Sequence, residues 1–145
     1  ALFVSHDTED AMAMADRVIV MRDGRNVQVG TPSEIYSRPK TRYAALLFGK
    51  TNLIALELIP DAPHHFQDER SEAQVVSIRP QEWKVMDKVS EGSSQGFDGR
   101  VSSVHYKGTH LEIKIEAEGM QILANVETPN PIKEGDELTV FPNFG

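Results

Sequence analysis

The stretch that decides the fold is residues 5–49, which reads SHDTEDAMAMADRVIVMRDGRNVQVGTPSEIYSRPKTRYAALLFG. Asp7 suits the N-cap of a helix over Thr8 to Ala15, whose Ala and Met residues have high helix propensity. Two apolar runs then flank Asp23 and Gly24, a pair typical of a hairpin turn. The stretch therefore predicts a helix followed by a β-hairpin.

The residues on either side of this hairpin continue the alternation of strand and helix. Leu2 to Val4 form a short apolar run, the pattern of a strand buried within a parallel sheet. Residues 31–34 read Thr-Pro-Ser-Glu, a capping box for a helix that must end before Pro39. A third helix is expected over Thr41 to Phe48, with Gly49 as its C-cap. Residues 1–50 are therefore predicted to be α/β structure.

After Asn52 the apolar residues alternate with polar ones, as in short half-buried strands. The alternating sets are Val76/Ile78, Val101 to Val104, Leu111/Ile113/Ile115, Met120/Ile122/Ala124/Val126 and Leu138/Val140. Two polar stretches, Pro60 to Glu72 and Lys88 to Gln95, are expected to be mobile connections. Residues 51–145 are thus predicted to form an OB-like barrel, and the whole chain an α+β fold.

Composition excludes several classes of protein. The 145 residues carry a formal net charge of -7, which disfavours non-specific binding to nucleic acid or to an anionic membrane surface. There are no cysteines, so disulfides and thiolate metal sites are excluded. The longest uncharged apolar run, Tyr43 to Phe48, is far shorter than the roughly 20 residues that span a bilayer. Any association with a membrane is expected to come through a partner protein.

The spaced motifs of the first half resemble the last third of the ATP-binding subunit of ABC importers. The resemblance rests on Ser5-His6-Asp7, Ala15-Asp16-Arg17, the run from Val18 to Arg25, and Gly30-Thr31-Pro32-Ser33-Glu34 with Pro39. The second half is similar to the accessory barrel of such subunits, called TOBE. That similarity rests on Ser77 to Pro80, on Gly99-Arg100-Val101 leading to Tyr106-Lys107-Gly108, and on Glu134-Gly135-Asp136.

The resemblance implies a function for the complete protein and a role for one residue. A subunit of this family uses ATP and Mg²⁺, works with a second copy of itself, and drives import through membrane permease subunits on the inner face of the cell membrane. His6 matches the switch histidine, which contacts the γ-phosphate of ATP and helps to order the attacking water. A donor is needed there because negative charge develops during phosphoryl transfer.

The chain departs from the family upstream of residue 5, since no stretch matches the Walker A, signature or Walker B motifs. We therefore expect Ala1 to lie within a longer gene product, and the 145-residue chain to be inactive as an ATPase and to need no cofactor. An alternative is a stand-alone OB-like module that binds a small anion or a regulatory protein. The transported substrate is not legible from the sequence.

Other candidate residues have simpler structural explanations. His64 and His65 could ligate a metal, but a stable site needs three or four ligands, so no metal site is predicted. His105 and His110 are expected to face each other across the Lys107/Gly108 turn as a solvated pair. The remaining candidates are a possible anion-binding or ion-paired Arg79 at the barrel rim and four aromatic residues expected in the core or an interface, Trp83, Phe97, Phe141 and Phe144.

Overall fold

The structure is a computed structural model that describes residues 2–88 and 96–144. The chain divides into two compact units, Ala1–Ser77 and Ile78–Gly145. The division predicted from the sequence, at residue 50, stays a prediction about domain organisation. The predicted connection over Lys88 to Gln95 lies almost entirely outside the described residues.

The first unit contains three short helices and five strands. In chain order they are α1 (Thr8–Met14), β1 (Val18–Arg22), β2 (Arg25–Gly30), α2 (Pro32–Ser37), α3 (Arg42–Leu47), β3 (Asn52–Ala55), β4 (Phe66–Gln67) and β5 (Gln74–Ile78), with a 3₁₀ turn over Leu56–Leu58. Strands β1 and β2 form an antiparallel hairpin, and a separate three-stranded sheet has the order β3-β5-β4.

The hairpin confirms the predicted turn. Its central residues, Asp23 and Gly24, both adopt the left-handed conformation, with φ of 52° and 75°. Two consecutive left-handed residues match the right-handed twist of the flanking strands, which is why Asp-Gly pairs are favoured there. Val20 is buried on one face of this hairpin, where it packs with Ile35 and Phe48.

Helix α2 begins with the predicted capping box. Glu34 N donates to Thr31 Oγ1 at 3.2 Å, and Thr31 N donates to the Glu34 carboxylate at 3.0 Å. Pro32 occupies the first turn, where a backbone N–H has no partner within the helix, so the lack of an N–H in proline costs no hydrogen bond. The box fixes the start of the helix, and this places Ile35, which is fully buried, against the hairpin.

The prediction of a mobile connection over Pro60 to Glu72 is wrong. Phe66 begins strand β4 and is buried with Ala45 and Val75. Asp68 is also buried, and its backbone N–H donates to Ala73 O at 2.8 Å. This stretch reads as a loop because its single large apolar residue carries no periodicity, although one such residue is enough to fix a two-residue strand.

The second unit is a five-stranded antiparallel sheet. Its strands are β6 (Trp83–Asp87), β7 (Phe97–Tyr106), β8 (His110–Ala117), β9 (Met120–Glu127) and β10 (Glu137–Pro142), in the order β6-β10-β7-β8-β9, and a 3₁₀ turn over Pro80–Glu82 precedes β6. The sheet curls into a half-barrel. Its fully buried side chains include Val101, Ile113, Ile115, Ile122, Ala124 and Val140. The predicted α+β fold with an OB-like barrel is confirmed.

Leu2 to Val4, whose apolar pattern suits a buried strand of a larger sheet, form no strand in this chain. These residues adopt no regular secondary structure, and Leu2 and Val4 are each 90% exposed. A strand needs a neighbour whose backbone groups complete its hydrogen bonds, and no described strand of this chain pairs with the segment. Apolar character alone is therefore insufficient to form the strand here.

Gly99 on β7 is a position where a side chain would be costly. It lies opposite Ala117 on β8, and an added Cβ would come within 2.6 Å of Ile115 Cγ2 and 2.7 Å of the Glu116 carbonyl oxygen. Because a backbone oxygen cannot rotate away, we expect Gly99→Ala to lower the free energy of unfolding by about 2–3 kcal/mol. Urea unfolding followed by tryptophan fluorescence measures this loss.

A matched control is Gly108→Ala, in the turn between β7 and β8. Gly108 has a φ of 88°, and a Cβ there would meet nothing within 4 Å. Only the conformational penalty of about 1 kcal/mol applies at this position. Equal losses for the two variants would contradict the steric account of Gly99.

Candidate functional site

His6 lies between two residues that fix the backbone at the start of α1. The Asp7 carboxylate accepts the backbone N–H groups of Glu9 and Asp10, at 2.9 and 3.3 Å. Ser5 Oγ accepts the Asp7 N–H at 2.9 Å and is also within hydrogen-bond distance, 3.2 Å, of the Asp7 carbonyl oxygen. Ser5 and Asp7 are therefore committed to local hydrogen bonds, and the imidazole between them is the group left to act outward.

The His6 side chain is exposed and makes no hydrogen bond or ion pair with the described part of the chain. An imidazole in either protonation state can donate a hydrogen bond to a phosphate oxygen. The backbone after His6 is fixed by the Asp7 cap, and the segment before His6 has no regular structure. This arrangement can supply one hydrogen-bond donor.

The described residues fit a single contact with ATP and do not form a magnesium site. Within residues 2–88 and 96–144, no group of three or more His, Asp or Glu side chains is placed to hold a metal ion. Phosphate-binding loops cradle their ligand with several backbone N–H groups and a lysine, which the residues around His6 do not provide. Most of a nucleotide site would have to come from other residues.

The histidines of the β4 region make structural contacts. His64 Nε2 lies 2.8 Å from the Pro39 carbonyl oxygen, and His65 Nδ1 lies 3.0 Å from Gln74 Oε1. The two rings thus bond to different partners. The same Pro39 loop is held on its other side by the buried Gln28 amide, which donates to Arg38 O at 3.0 Å and accepts the Lys40 N–H at 2.9 Å.

The expected pairing of His105 with His110 is wrong. In the register of β7 and β8, His105 lies opposite Glu112, while Tyr106 lies opposite Leu111. The turn is closed one residue later along the chain than that pairing requires, by a hydrogen bond from Lys107 N to His110 O at 2.9 Å. The two imidazoles therefore occupy different positions along the ladder.

Arg79 and Trp83 flank the 3₁₀ turn before β6 and are both buried. The Arg79 side chain is 1% exposed, so it does not sit at an open barrel rim as expected. Its backbone N–H donates to the Glu82 carboxylate at 3.0 Å. Trp83 packs edge-on against Phe97, with ring centroids 6.2 Å apart, which confirms both as core aromatics.

Sequence reasoning missed a cavity in the first unit whose lining includes Arg22, Arg42 and Arg70. The three arginines are more than a dozen residues apart in the sequence, and no periodic pattern of residues connects them. The turn after β4 bonds to the start of α3 through Asp68 and Glu69, and that contact could be found only from the tertiary structure.

A comparison with protein families finds a match in the second unit. The TOBE domain family matches residues 76–143. This range includes all five strands of the half-barrel and the last three residues of β5.

Comparison with curated proteins extends the similarity over most of the chain. The chain is 36% identical to the spermidine/putrescine import ATP-binding protein PotA of Ureaplasma parvum, over 94% of this chain and 27% of that protein. It is 32% identical to the protein of the same name from Borreliella afzelii, over 97% and 42%, and 34% identical to that of a Nostoc species, over 89% and 38%. The chain thus spans between about a quarter and two fifths of these relatives.

No helix in the described part of the chain is both long enough and apolar enough to cross a membrane.

Proposed function

Because this chain resembles the C-terminal part of the ATP-binding subunits of ABC importers and carries a TOBE domain, we propose that it is the switch and accessory region of such a subunit. The complete protein would bind and hydrolyse ATP with Mg²⁺, as a dimer of two copies. Hydrolysis would drive import through membrane permease subunits, and these subunits would hold the protein at the inner face of the membrane. The proposal is supported by three relatives that are named as import ATP-binding proteins, each of which is similar to at least 89% of this chain.

In the complete protein, His6 would donate a hydrogen bond to the γ-phosphate of ATP. ATP would supply the phosphoryl group and Mg²⁺ would neutralise its charge. His6 has the required freedom, since its ring is exposed and makes no bond within the described residues. Asp7 supports this role indirectly, because its cap fixes the backbone immediately after the histidine.

The substrate class we propose is a polyamine. This rests on the names of the relatives, each of which is called a spermidine/putrescine import protein. Selection among solutes would belong to the permease and to an external solute-binding protein. The TOBE half-barrel would be an accessory unit that could bind a small anion or a regulatory protein.

Reconstitution tests this function. The complete subunit and its permease would be placed in liposomes, with ATP supplied on the cytoplasmic side of the membrane. Uptake of labelled spermidine, putrescine and maltose would then be measured and compared. We expect spermidine or putrescine uptake that depends on ATP, with no uptake of maltose. ATP hydrolysis with maltose uptake would contradict the substrate class alone. A complete protein that hydrolyses no ATP would instead favour the stand-alone OB-like module.

We further expect the 145-residue chain by itself to bind magnesium-ATP too weakly to measure. Backbone cradles, a lysine and magnesium ligands supply most of the affinity in such sites, and His6 adds one hydrogen bond of about 1.5–3 kcal/mol at most. Isothermal titration calorimetry should show no saturation below about 1 mM, a limit that corresponds to roughly 4 kcal/mol. A saturable isotherm in that range would contradict this expectation.

A further inference from the structure

An open cavity of about 450 Å³ lies in the first unit, between the hairpin, α3 and the turn after β4. Three arginines line it, Arg22 from the end of β1, Arg42 from the start of α3 and Arg70 from the turn. The whole chain carries a net charge of -7, so three positively charged guanidinium groups around one cavity contrast with the negative charge of the chain. Guanidinium groups are the side chains best suited to bind carboxylate and phosphate.

The guanidinium donors are only partly satisfied within the described residues. Arg42 Nη1 lies 3.4 Å from Asp68 Oδ2, but Arg42 Nε is buried and has no hydrogen-bond partner. The Arg70 side chain is exposed and makes no hydrogen bond or ion pair in the described part of the chain. Arg22 reaches Asp23 only at 3.9 Å, and its guanidinium carbon lies 4.9 Å from the centre of the Tyr43 ring.

The carboxylates beside the cavity are occupied by other donors. Glu69 accepts the backbone N–H groups of Arg42 and Tyr43, and thereby caps α3. Asp68 accepts the Arg70 backbone N–H at 3.0 Å and the Ser71 hydroxyl at 3.3 Å, besides its contact with Arg42. Neither carboxylate forms an ion pair with Arg22 or Arg70 in the described part of the chain, so the donors of these two side chains favour an anionic guest.

One wall of the cavity is apolar. Leu46 and Leu47 on α3 are 50% and 36% exposed and both line the cavity, next to the Tyr43 ring. A volume of this size is in the range that holds small organic ligands, which bury an apolar body and use a few polar groups for orientation. Inorganic phosphate would satisfy the arginines and leave this wall in water.

We propose that this cavity binds a small organic anion, a phosphate or carboxylate that carries an apolar group. The anionic end would accept hydrogen bonds from the Arg22 and Arg70 guanidinium groups. The apolar end would cover Leu46 and Leu47. The site lies in the first unit, outside the TOBE half-barrel, and is independent of the contact proposed for His6.

The test is an NMR titration of the intact 145-residue chain at constant ionic strength, which follows the arginine Nε–H resonances. The probes are phenyl phosphate, benzoate, inorganic phosphate and phenol. Inorganic phosphate lacks the apolar group and phenol lacks the anionic group, so the contribution of each group to binding is measured separately. We expect the Arg42 Nε–H to shift saturably with phenyl phosphate or benzoate, at least threefold more tightly than with inorganic phosphate, and phenol to leave it unmoved. Whichever of phenyl phosphate and benzoate binds more tightly shows whether the site prefers a phosphate or a carboxylate.

Two variants and one control complete the design. Arg70→Gln should weaken binding of the organic anion about threefold to tenfold, because it removes one charge-assisted donor without disturbing any packed contact. Leu46→Ser should weaken phenyl phosphate and leave inorganic phosphate unchanged. Arg17→Gln, which removes the same charge from an exposed position between α1 and β1 that does not line the cavity, should change affinity by less than about twofold.

The proposal is overturned if no probe shifts the Arg42 resonance saturably below about 10 mM, which corresponds to less than 3 kcal/mol. It is also overturned if phenyl phosphate and inorganic phosphate bind equally well, because the apolar wall would then contribute nothing. If Arg17→Gln weakens binding as much as Arg70→Gln, the effect is general screening of charge and the proposal is again overturned. The wild-type titration decides the first two without any variant, so folding of the variants does not limit the test.

Discussion

Replacing His6 by Ala in the complete ATP-binding subunit should lower ATP turnover about 100- to 1,000-fold, the effect seen when one preorganised donor is removed from a developing negative charge. Affinity for magnesium-ATP should change less than about threefold, because binding energy in such sites is spread over many phosphate contacts. Losing a contact that strengthens only in the transition state reduces the rate and spares binding.

The structural basis for this separation is the isolation of the His6 ring. It is exposed and takes part in no hydrogen bond within the described residues, so its removal should leave the cap at Asp7 and the packing of α1 intact. The measurements are steady-state turnover and equilibrium nucleotide binding on the same purified protein. Thermal unfolding of the variant should match that of the wild type.

A matched control is His105→Ala, which removes an exposed histidine from β7 of the half-barrel. It should leave turnover within about twofold of the wild type, since it lies outside the switch segment. Parallel losses of nucleotide affinity and turnover in His6→Ala would point to a structural role for the histidine. Wild-type turnover in His6→Ala would remove the proposed switch role altogether.

Signals that depend on adjacent residues could be read from the sequence. The Asp7 cap, the Asp23-Gly24 turn and the Thr31/Glu34 capping box each need residues at fixed short spacings, and all three are present as predicted. The alternation over β8 and β9 was equally legible, because every second residue there packs into one core. Local chemistry thus predicted most of the helices and the central strands.

Features that depend on distant partners could not be read in this way. Strand β4 has two residues and is fixed by Phe66 packing with Ala45 and Val75, which a periodicity search cannot detect. Strand β6 begins at a single tryptophan and has only weak alternation. Leu2 to Val4 are the converse case, in which an apolar run lacks a neighbouring strand. The arginine cavity depends on three residues that only the tertiary fold brings together.

The second large effect concerns the centre of the half-barrel. Ile113 lies on β8, between its neighbours Val104 on β7 and Ala124 on β9, and its side chain is fully buried. Truncation to Ala removes three buried carbon atoms and leaves a cavity that the flanking strands cannot close without breaking their ladders. We expect Ile113→Ala to lower the free energy of unfolding by about 3–4 kcal/mol. For a unit of this size, the midpoint of thermal unfolding should fall by roughly 15 °C.

Trp83 makes this loss measurable for the half-barrel alone. It is the only tryptophan of the chain, it is buried in the second unit, and its fluorescence therefore reports the unfolding of that unit. Met86→Ala on β6 is the control, because it also shortens an apolar side chain, but one that is 41% exposed. That change should cost less than about 1 kcal/mol, since little apolar area returns to water. If Ile113→Ala and Met86→Ala shift the Trp83 transition equally, the core of the half-barrel does not lie where β7, β8 and β9 meet.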